Sequence, residues 1–359
     1  MENLYHLPVE PYKQRMTEFL GQWEEEAFKK GGFKVVPVTP SANLALNIAT
    51  GEVLDSIQRP CYAMAQIREL LSLAADYGPV YCGDFFHPGI EALPYSRRQF
   101  RAYSFLWAQT FDQYDFTVRF MDWMRPWEVM ALSIYRRVFV ANQMLKDLIV
   151  NACPAFERNI LVTGLPFNSE FVKNAYDRSA LPEEEFDVVY TSRWDTEKNP
   201  AFFVQLVESR KDLSFAICTG HKELRGTDVR AVELIKRVAQ VRENVKIFTD
   251  LTKGQYYAIL ARSKVICNTA WQDWTSFTLL EALTYGCLPL YPNFRSFPET
   301  FYYDETFLYA LANLAALNKK LDSLLTVHPV RSFNNQTCKE ILAHHDLALA
   351  RIADYIRND

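Results

Sequence analysis

The chain has 359 residues, 49% of them hydrophobic and 23% charged, with a formal net charge of −4. That length exceeds the roughly 100 to 200 residues of one domain, so two domains are expected. The composition excludes a disordered or collagen-like chain, and the slightly acidic balance excludes a protein that coats nucleic acid by charge alone.

The opening MENLYHLPVEPYKQR has no cationic segment followed by an apolar run, unlike a secretory signal. No stretch approaches the roughly 18 consecutive apolar residues that a spanning helix needs. A cytoplasmic protein with no membrane partner is the expectation. Seven cysteines lie scattered, with no C-x-x-C pair and no histidine at metal-ligand spacing. They read as small buried hydrophobes in a reducing compartment, not as a zinc site or a disulfide framework.

The first half mixes aromatic and charged residues finely. Helices are expected over 13–30, 63–76 and 142–151, and strands over 33–38, 80–84, 103–107, 137–141 and 159–163, which suits an α/β domain. VYCGDFFHPGIEALPY (80–95) ends a strand with Asp84 and His87, followed by Pro88-Gly89. A histidine at a strand's carboxyl end can bond a sugar hydroxyl or orient an acceptor, and a satisfied structural histidine explains the residue equally well. Residues 97–137 hold seven Arg, four acidic residues and eleven aromatics. Arg on phosphate and rings on an extruded base would make a nucleic-acid face. Core aromatics with Arg paired to local Asp is the plainer account, and composition alone favours it. Thr163-Gly164-Leu165-Pro166-Phe167-Asn168 carries the turn residues of an interdomain hinge.

From residue 186 the pattern is cleaner. Short continuous apolar runs at 186–190, 214–218, 245–248, 264–268 and 288–291 alternate with helical spacing over 198–209, 229–242, 254–262 and 277–285. Continuous runs imply strands covered on both faces, hence a doubly wound parallel sheet. Residues 337–357 carry one apolar stripe, Ile341, Leu342, Leu347, Leu349, Ile352 and Ile356, and are expected to form a single amphipathic helix packing back across the junction. No glycine-rich phosphate loop is present, which sets aside a dinucleotide oxidoreductase or a P-loop kinase.

Two stretches carry the chemistry. In FDVVYTSRWDTEKNP (186–200) a buried strand leads into a turn with Arg193 and Lys198, and Lys198-Asn199-Pro200 opens the next helix. Two cations at the carboxyl end of a strand, beside a helix N-terminus, suit a diphosphate, although Arg and Lys in a polar loop are more often solvated charge. In NTAWQDWTSFTLLEALTYGCLPLYP (268–292) Asp273 and Glu281 stand eight apart, the second in a helix capped by Thr275 or Ser276. Buried unpaired among leucines, Glu281 would cost several kcal/mol, so it calls for hydroxyl partners such as the two of a ribose. An exposed Glu on a surface helix is the bland reading.

Taken together, Arg193, Lys198, Asp273, Glu281-Ala282, Gly286 and Pro289 resemble the motifs of the retaining GT-B glycosyltransferases of glycosyltransferase family 4, over about residues 186–300. The resemblance implies an α/β fold of two Rossmann-like doubly wound domains facing a cleft: 1–165 for the acceptor, 166–336 for the nucleotide-sugar, and 337–359 as a helix returning to the first domain. It implies Arg193 and Lys198 on the donor diphosphate, Glu281 on the ribose, Asp273 with Thr275 and Ser276 at the transferred sugar, Asp250 and Leu251 against the nucleobase, and His87 near the donor sugar. It also implies a UDP-sugar donor, no covalently bound cofactor, no required metal, and a leaving phosphate that assists the acceptor in place of a protein nucleophile. The family usually has Glu and a Gly-Phe-Gly run where this chain has Asp273-Trp274-Thr275-Ser276-Phe277, which leaves the sugar open.

LPVEPYKQRMTEFL and DFFHPGIEAL resemble the N-terminal halves of phage-encoded glycosyltransferases that decorate hydroxymethylated pyrimidines. That resemblance implies DNA with hydroxymethylated bases as partner and the host cytoplasm as location. The alternatives are a glycan or small-molecule acceptor and a non-catalytic nucleotide-sugar binder.

Overall fold

The computed structural model describes residues 1–11, 17–40, 58–73, 77–96, 98–176, 183, 185–326 and 331–359. The chain divides into two compact units, Met1–Phe167 with Leu347–Asp359, and Asn168–Asp346.

The first unit is built on six strands, β1 (Asn3–Leu7), β2 (Lys34–Pro37), β3 (Tyr77–Cys82), β4 (Gln99–Phe105), β5 (Tyr135–Val140) and β6 (Ile160–Val162), in the order β2-β1-β3-β4-β5-β6. Every pairing is parallel. Val138, Phe139 and Val140 are all buried in succession, so β5 is covered on both faces and helices must flank the sheet. Those helices are α1 (Thr17–Lys30), α2 (Gln58–Ser72), α3 (Ala92–Tyr95), α4 (Met121–Ile134) and α5 (Gln143–Ala152). The helices expected over 13–30 and 63–76 correspond to α1 and α2, and their ends at 13–16 and 74–76 lie outside the described residues.

β1 and α4 are among the elements that have no counterpart in the sequence reading. In β1 the apolar run is interrupted by His6, which is buried against an equally buried Glu24 of α1 at 2.8 Å. The bond to a carboxylate on a neighbouring helix offsets part of the cost of burying a polar side chain in a core strand. In α4, Pro126 lies inside the helix and breaks the pattern that would have marked it.

The second unit has strands β7 (Phe186–Tyr190), β8 (Phe215–Cys218), β9 (Val245–Phe248), β10 (Ser263–Cys267), β11 (Leu288–Pro292) and β12 (Leu308–Tyr309), ordered β12-β11-β10-β7-β8-β9 and all parallel. Its helices are α6 (Ser169–Asn174), α7 (Pro200–Ser209), α8 (Val229–Val241), α9 (Lys253–Ala261), α10 (Phe277–Tyr285), α11 (Phe297–Thr300), α12 (Leu314–Thr326) and α13 (Gln336–Asp346).

The single helix expected over 337–357 is two. The chain breaks at Leu347, 53% exposed, between α13 and α14 (Ala348–Asn358), and it is there, not at 337, that it returns to the first unit. Leu349, Ile352 and Ile356 of α14 are buried. A Cβ added at Gly31, just past α1, would stand 2.8 Å from that of Ala353, so the close approach of α14 depends on a residue without a side chain. Arg351 donates to the Thr163 carbonyl at 2.8 Å, and Arg136 and Arg137 clasp Asp359 at 2.9 and 2.8 Å.

None of the seven cysteines is in a disulfide and five are buried. Burial pushes the Cys82, Cys267 and Cys338 thiols up to about 12, which leaves them inert packing groups. No helix among the described residues is long and apolar enough to cross a membrane.

Candidate functional site

In the second sheet β7 comes first in the chain, β8 and β9 extend to one side of it, and β10, β11 and β12 extend to the other. The carboxyl ends of β7 and β10 therefore flank a topological switch point, where the following loops diverge and leave a crevice. Those loops are 191–199 and 268–276, and they are laced together. Trp271 N–H donates to the Glu197 carbonyl at 3.0 Å, and Thr269 Oγ1 donates to the Lys198 carbonyl at 3.0 Å. Lys198 Nζ donates to the Gln272 carbonyl at 2.9 Å and pairs with Asp273 at 3.4 Å.

A third loop, after β8, buttresses the first. Thr227 N–H bonds Asp195 at 2.9 Å, and Thr196 N–H bonds Thr227 Oγ1 at 3.0 Å. A Cβ at Gly226 would stand 2.0 Å from the Trp194 carbonyl oxygen, so only glycine fits beneath this turn. Asn199 takes a left-handed conformation (φ 49°), which lets the chain turn directly into α7 with Pro200 in its first turn.

Lys198 and Asp273 thus meet. Arg193 stands in the same loop as Lys198, 47% exposed on its side chain, with its guanidinium forked onto Asp195 at 2.7 Å and Glu197 at 2.6 Å. Glu281 belongs to a separate cluster. Its Oε1 accepts from Lys253 Nζ at 2.5 Å and Tyr257 OH at 3.0 Å, both from α9. The inference that this buried carboxylate needs ribose hydroxyls to be tolerable is corrected: the protein itself supplies its counter-charge. Lys253 was missed because nothing in sequence ties a lysine in the first turn of α9 to a glutamate 28 positions on.

Ser276, not Thr275, caps α10, its hydroxyl accepting from Leu279 N–H at 3.2 Å, and Gly286 closes the helix at φ 95°. Thr275 is held at φ 91°, a conformation that favours glycine. Neighbours pin it: Thr275 Oγ1 lies 3.3 Å from Thr300 Oγ1, and Ser296 Oγ donates to the Asp273 carbonyl. After β9, Asp250 (φ 54°) donates its N–H to the His221 carbonyl at 2.7 Å, and half-buried Leu251 follows, just before the Thr252/Gln255 capping box that opens α9.

The first sheet has its switch point between β1 and β3. A small pocket there is lined by Glu10, Arg59, Gln66, Asp84, Phe86 and His87, among others. Arg59, from the start of α2, forms ion pairs with Asp84 and, at 3.4 Å, with Glu10. Gln66 donates to the Pro8 and Val38 carbonyls at 2.9 and 3.0 Å, so its oxygen faces His87 Nε2 at 3.1 Å. That ring nitrogen must therefore carry the proton, which leaves Nδ1 as a buried acceptor with no partner. Burial, aided by Arg59, lowers the His87 pKa to about 4, so the ring is neutral near pH 7.

Most of the arginines of 97–137 are engaged. Arg101 meets Glu2 at 2.7 Å, Arg98 bonds the Leu73 carbonyl at 2.8 Å, Arg125 bonds Thr110, and Arg97 lies outside the described residues. The acid opposite Arg136 and Arg137 is the distant Asp359, not a local Asp. A patch of Phe120, Trp123 (54% exposed) and Phe86 remains at the surface, with Arg119 lying 4.6 Å from the centre of the Phe120 ring. Behind it Glu128 is buried, accepting from Thr110 N–H at 2.9 Å and Thr110 Oγ1 at 2.5 Å, and burial raises its pKa to about 7.

Two parallel doubly wound sheets of this kind define the GT-B fold. The chain superposes along its whole length on sucrose-phosphate synthase from Thermosynechococcus elongatus, with a TM-score of 0.71 at 11% identity, covering 99% of that chain. It does so equally on the UDP-forming α,α-trehalose-phosphate synthase from Burkholderia vietnamiensis, with a TM-score of 0.69 at 12% identity, again covering 99% of that chain. Residues 172–336, which hold the β7–β10 rim, match the family described as glycosyl transferases group 1. The chain is also 26% identical over 185 residues to the tRNA-queuosine alpha-mannosyltransferase of Drosophila melanogaster. That match takes in 49% of this chain and 45% of the fly protein, so the chain spans about half the length of that relative.

Proposed function

We propose that the protein is a nucleotide-sugar-dependent glycosyltransferase whose donor binds at the β7–β10 rim. The observation that carries the reading is the joining of Lys198 to Asp273 at the switch point of a segment matching the group 1 family. A donor diphosphate would draw Arg193 away from Asp195 and Glu197, exchanging two surface ion pairs for a bidentate grip on phosphate. Lys198 would add a point charge held in place by the Gln272 carbonyl. The N-terminal turn of α10 would face the phosphate or sugar. Asp273 with Thr275 and Ser276 would bear on the sugar, Glu281 through its second oxygen on the ribose, and Leu251 on the base, with UDP as the nucleotide. His87 Nδ1 would accept a hydrogen bond from a hydroxyl. Its low pKa suits orientation better than proton abstraction.

The reaction would retain the anomeric configuration, the leaving diphosphate assisting the incoming hydroxyl. Catalysis then rests on positioning and on charge stabilisation of that diphosphate. The proposed reaction takes place in the cytoplasm and needs no metal. Activity abolished by a chelator would count against that part.

The acceptor we propose is a hydroxymethylated pyrimidine of DNA, with Phe86, Phe120 and Trp123 stacking on the displaced base beside the His87 pocket. The fly relative, named for queuosine in tRNA, favours a second reading in which the acceptor is a modified base of tRNA. Both are tested by incubating the protein with a nucleotide-sugar panel and either hydroxymethylated DNA or queuosine-containing tRNA, then weighing the digested nucleosides. A hexose mass on one decides between them. A mass gain only on an oligosaccharide overturns both.

A further inference from the structure

Two buried glutamines serve opposite purposes. Gln66 spends its whole amide inside the protein, in three hydrogen bonds to Pro8, Val38 and His87. Gln272 is 3% exposed, yet neither its amide nitrogen nor its amide oxygen has a partner. Leaving a buried primary amide unmet costs about 1–3 kcal/mol. The neighbouring loop has no need of that side chain, because Gln272 is fixed by its backbone carbonyl, which holds Lys198. The residue before it is tied to the Glu197 carbonyl and the residue after it is Asp273, paired to the same lysine. An idle donor and acceptor thus belong to the residue whose own carbonyl, with the carboxylate of the next residue, holds Lys198.

We infer that Gln272 reads the hydroxyls of the transferred sugar and so helps to set which hexose is accepted; the inference rests on the donor site proposed above. A carboxamide offers N–H donors and a carbonyl acceptor side by side, the complement of two neighbouring hydroxyls, each of which both gives and takes a hydrogen bond. Asp273 can only accept, and Lys198 can only donate. The Gln272 amide, with donor and acceptor fixed side by side, can tell the two orientations of a hydroxyl pair apart. Gln109 also has an unpartnered buried amide, but it follows β4 of the first unit, outside the proposed donor site.

The test compares UDP with UDP-glucose, and GDP with GDP-mannose, by calorimetric titration of the full chain and of Gln272→Leu. The expected result is a Q272L protein that melts no lower than wild type, since an apolar side chain of similar size replaces an unmet amide. Its affinity for UDP and GDP should be unchanged. The extra affinity that the preferred hexose confers over its bare diphosphate should fall by roughly tenfold, the worth of about one hydrogen bond. Gln272→Glu, which keeps the acceptor and loses the donor, should shift the preference between the two hexoses. A variant that melts several degrees lower or does not fold means the amide is satisfied internally, and the inference fails. It fails too if diphosphate and diphosphate-sugar change in parallel, or if the sugar adds nothing in wild type. Wild-type protein that binds none of the four ligands overturns the glycosyltransferase reading instead.

Discussion

The two switch points differ in how their polar groups are kept. At the β7–β10 rim they are charged and lie in loops: Arg193 is half exposed, Lys198 and Asp273 are paired, and backbone strain at Thr275 and Asn199 holds the turns. At the β1–β3 rim the central group is a neutral histidine with a committed tautomer, sealed beneath Gln66. Charges that can be drawn off their internal partners suit a ligand bearing its own charge. A fixed neutral acceptor suits a hydroxyl. Although Arg59, Asp84 and Glu10 are also charged at the first rim, they are paired with one another, and the contrast supports the proposed assignment of the diphosphate to the second rim and of an alcohol to the first.

The largest effect that would sharpen this contrast is at Arg193. Arg193→Ala should lower turnover by about a hundred- to a thousandfold, as removal of one donor to a developing anion does, while leaving the melting temperature nearly unchanged, because its present ion pairs are surface ones. Single-turnover kinetics on the identified acceptor would check it. Near wild-type turnover would mean that the diphosphate lies elsewhere.

Glu281→Ala should act the other way round, chiefly on stability. It strands Lys253 in a largely buried site, at a cost of about 3 kcal/mol, the low end for a broken buried pair since the ammonium keeps some access to solvent. Denaturant unfolding measures it. Adding Lys253→Ala should restore part of the loss. If the double variant is no better than the single, the pair is not what stabilises the α9–α10 contact.

The first rim makes a pH prediction, in which two buried groups of one unit oppose each other. His87 is lowered from 6.5 to about 4, so the unfolded chain binds the extra proton between those values and stability falls as pH drops through them. Glu128 is raised from 4.5 to about 7, so the folded chain holds the extra proton and stability falls as pH rises through that window. Between pH 4.5 and 6.5 the two slopes, each about 1.4 kcal/mol per pH unit, nearly cancel. In Glu128→Gln the His87 slope should emerge alone, with stability lost on acidification by about 3 kcal/mol in total. In His87→Gln the opposite slope should appear. Urea titrations at four pH values would read both, and parallel curves for the two variants would refute the assignment.

What was legible in the sequence follows the same divide. Strands β7 to β11 and the helices between them stood out because they are continuous apolar runs bounded by turn residues, a signal carried by neighbours in the chain. The Arg193–Lys198 and Asp273–Glu281 spacings were visible for the same reason. The partners that decide what those residues do were not. Lys253 reaches Glu281 from another helix, Asp359 reaches Arg136 from the far end of the chain, and Glu24 makes His6 tolerable inside β1. None of these pairings leaves a periodic trace, and β1 and α4 were overlooked because a buried histidine and an internal proline spoil the only local signal available. The break at Leu347 was hidden for a related reason: the apolar stripe runs on through it, while the faces on either side belong to different units.

The smallest effect concerns Thr275 and separates strain from side-chain bonding at the second rim. Both Thr275→Ala and Thr275→Gly remove the contact with Thr300 Oγ1, so that loss cancels when the two are compared. At φ 91° alanine keeps the steric penalty of a Cβ in left-handed territory, whereas glycine has none. Glycine in turn gives the unfolded chain more freedom, worth about 0.5–1 kcal/mol against it. With roughly 1–2 kcal/mol of strain relieved, the glycine variant should be the more stable of the two by about 1 kcal/mol or less. Paired urea midpoints can resolve that difference. An alanine variant equal to or above the glycine one would mean that the loop relaxes out of this conformation in solution. The tight turn between Asp273 and the Ser276 cap would then be set by the ligand instead of by the fold.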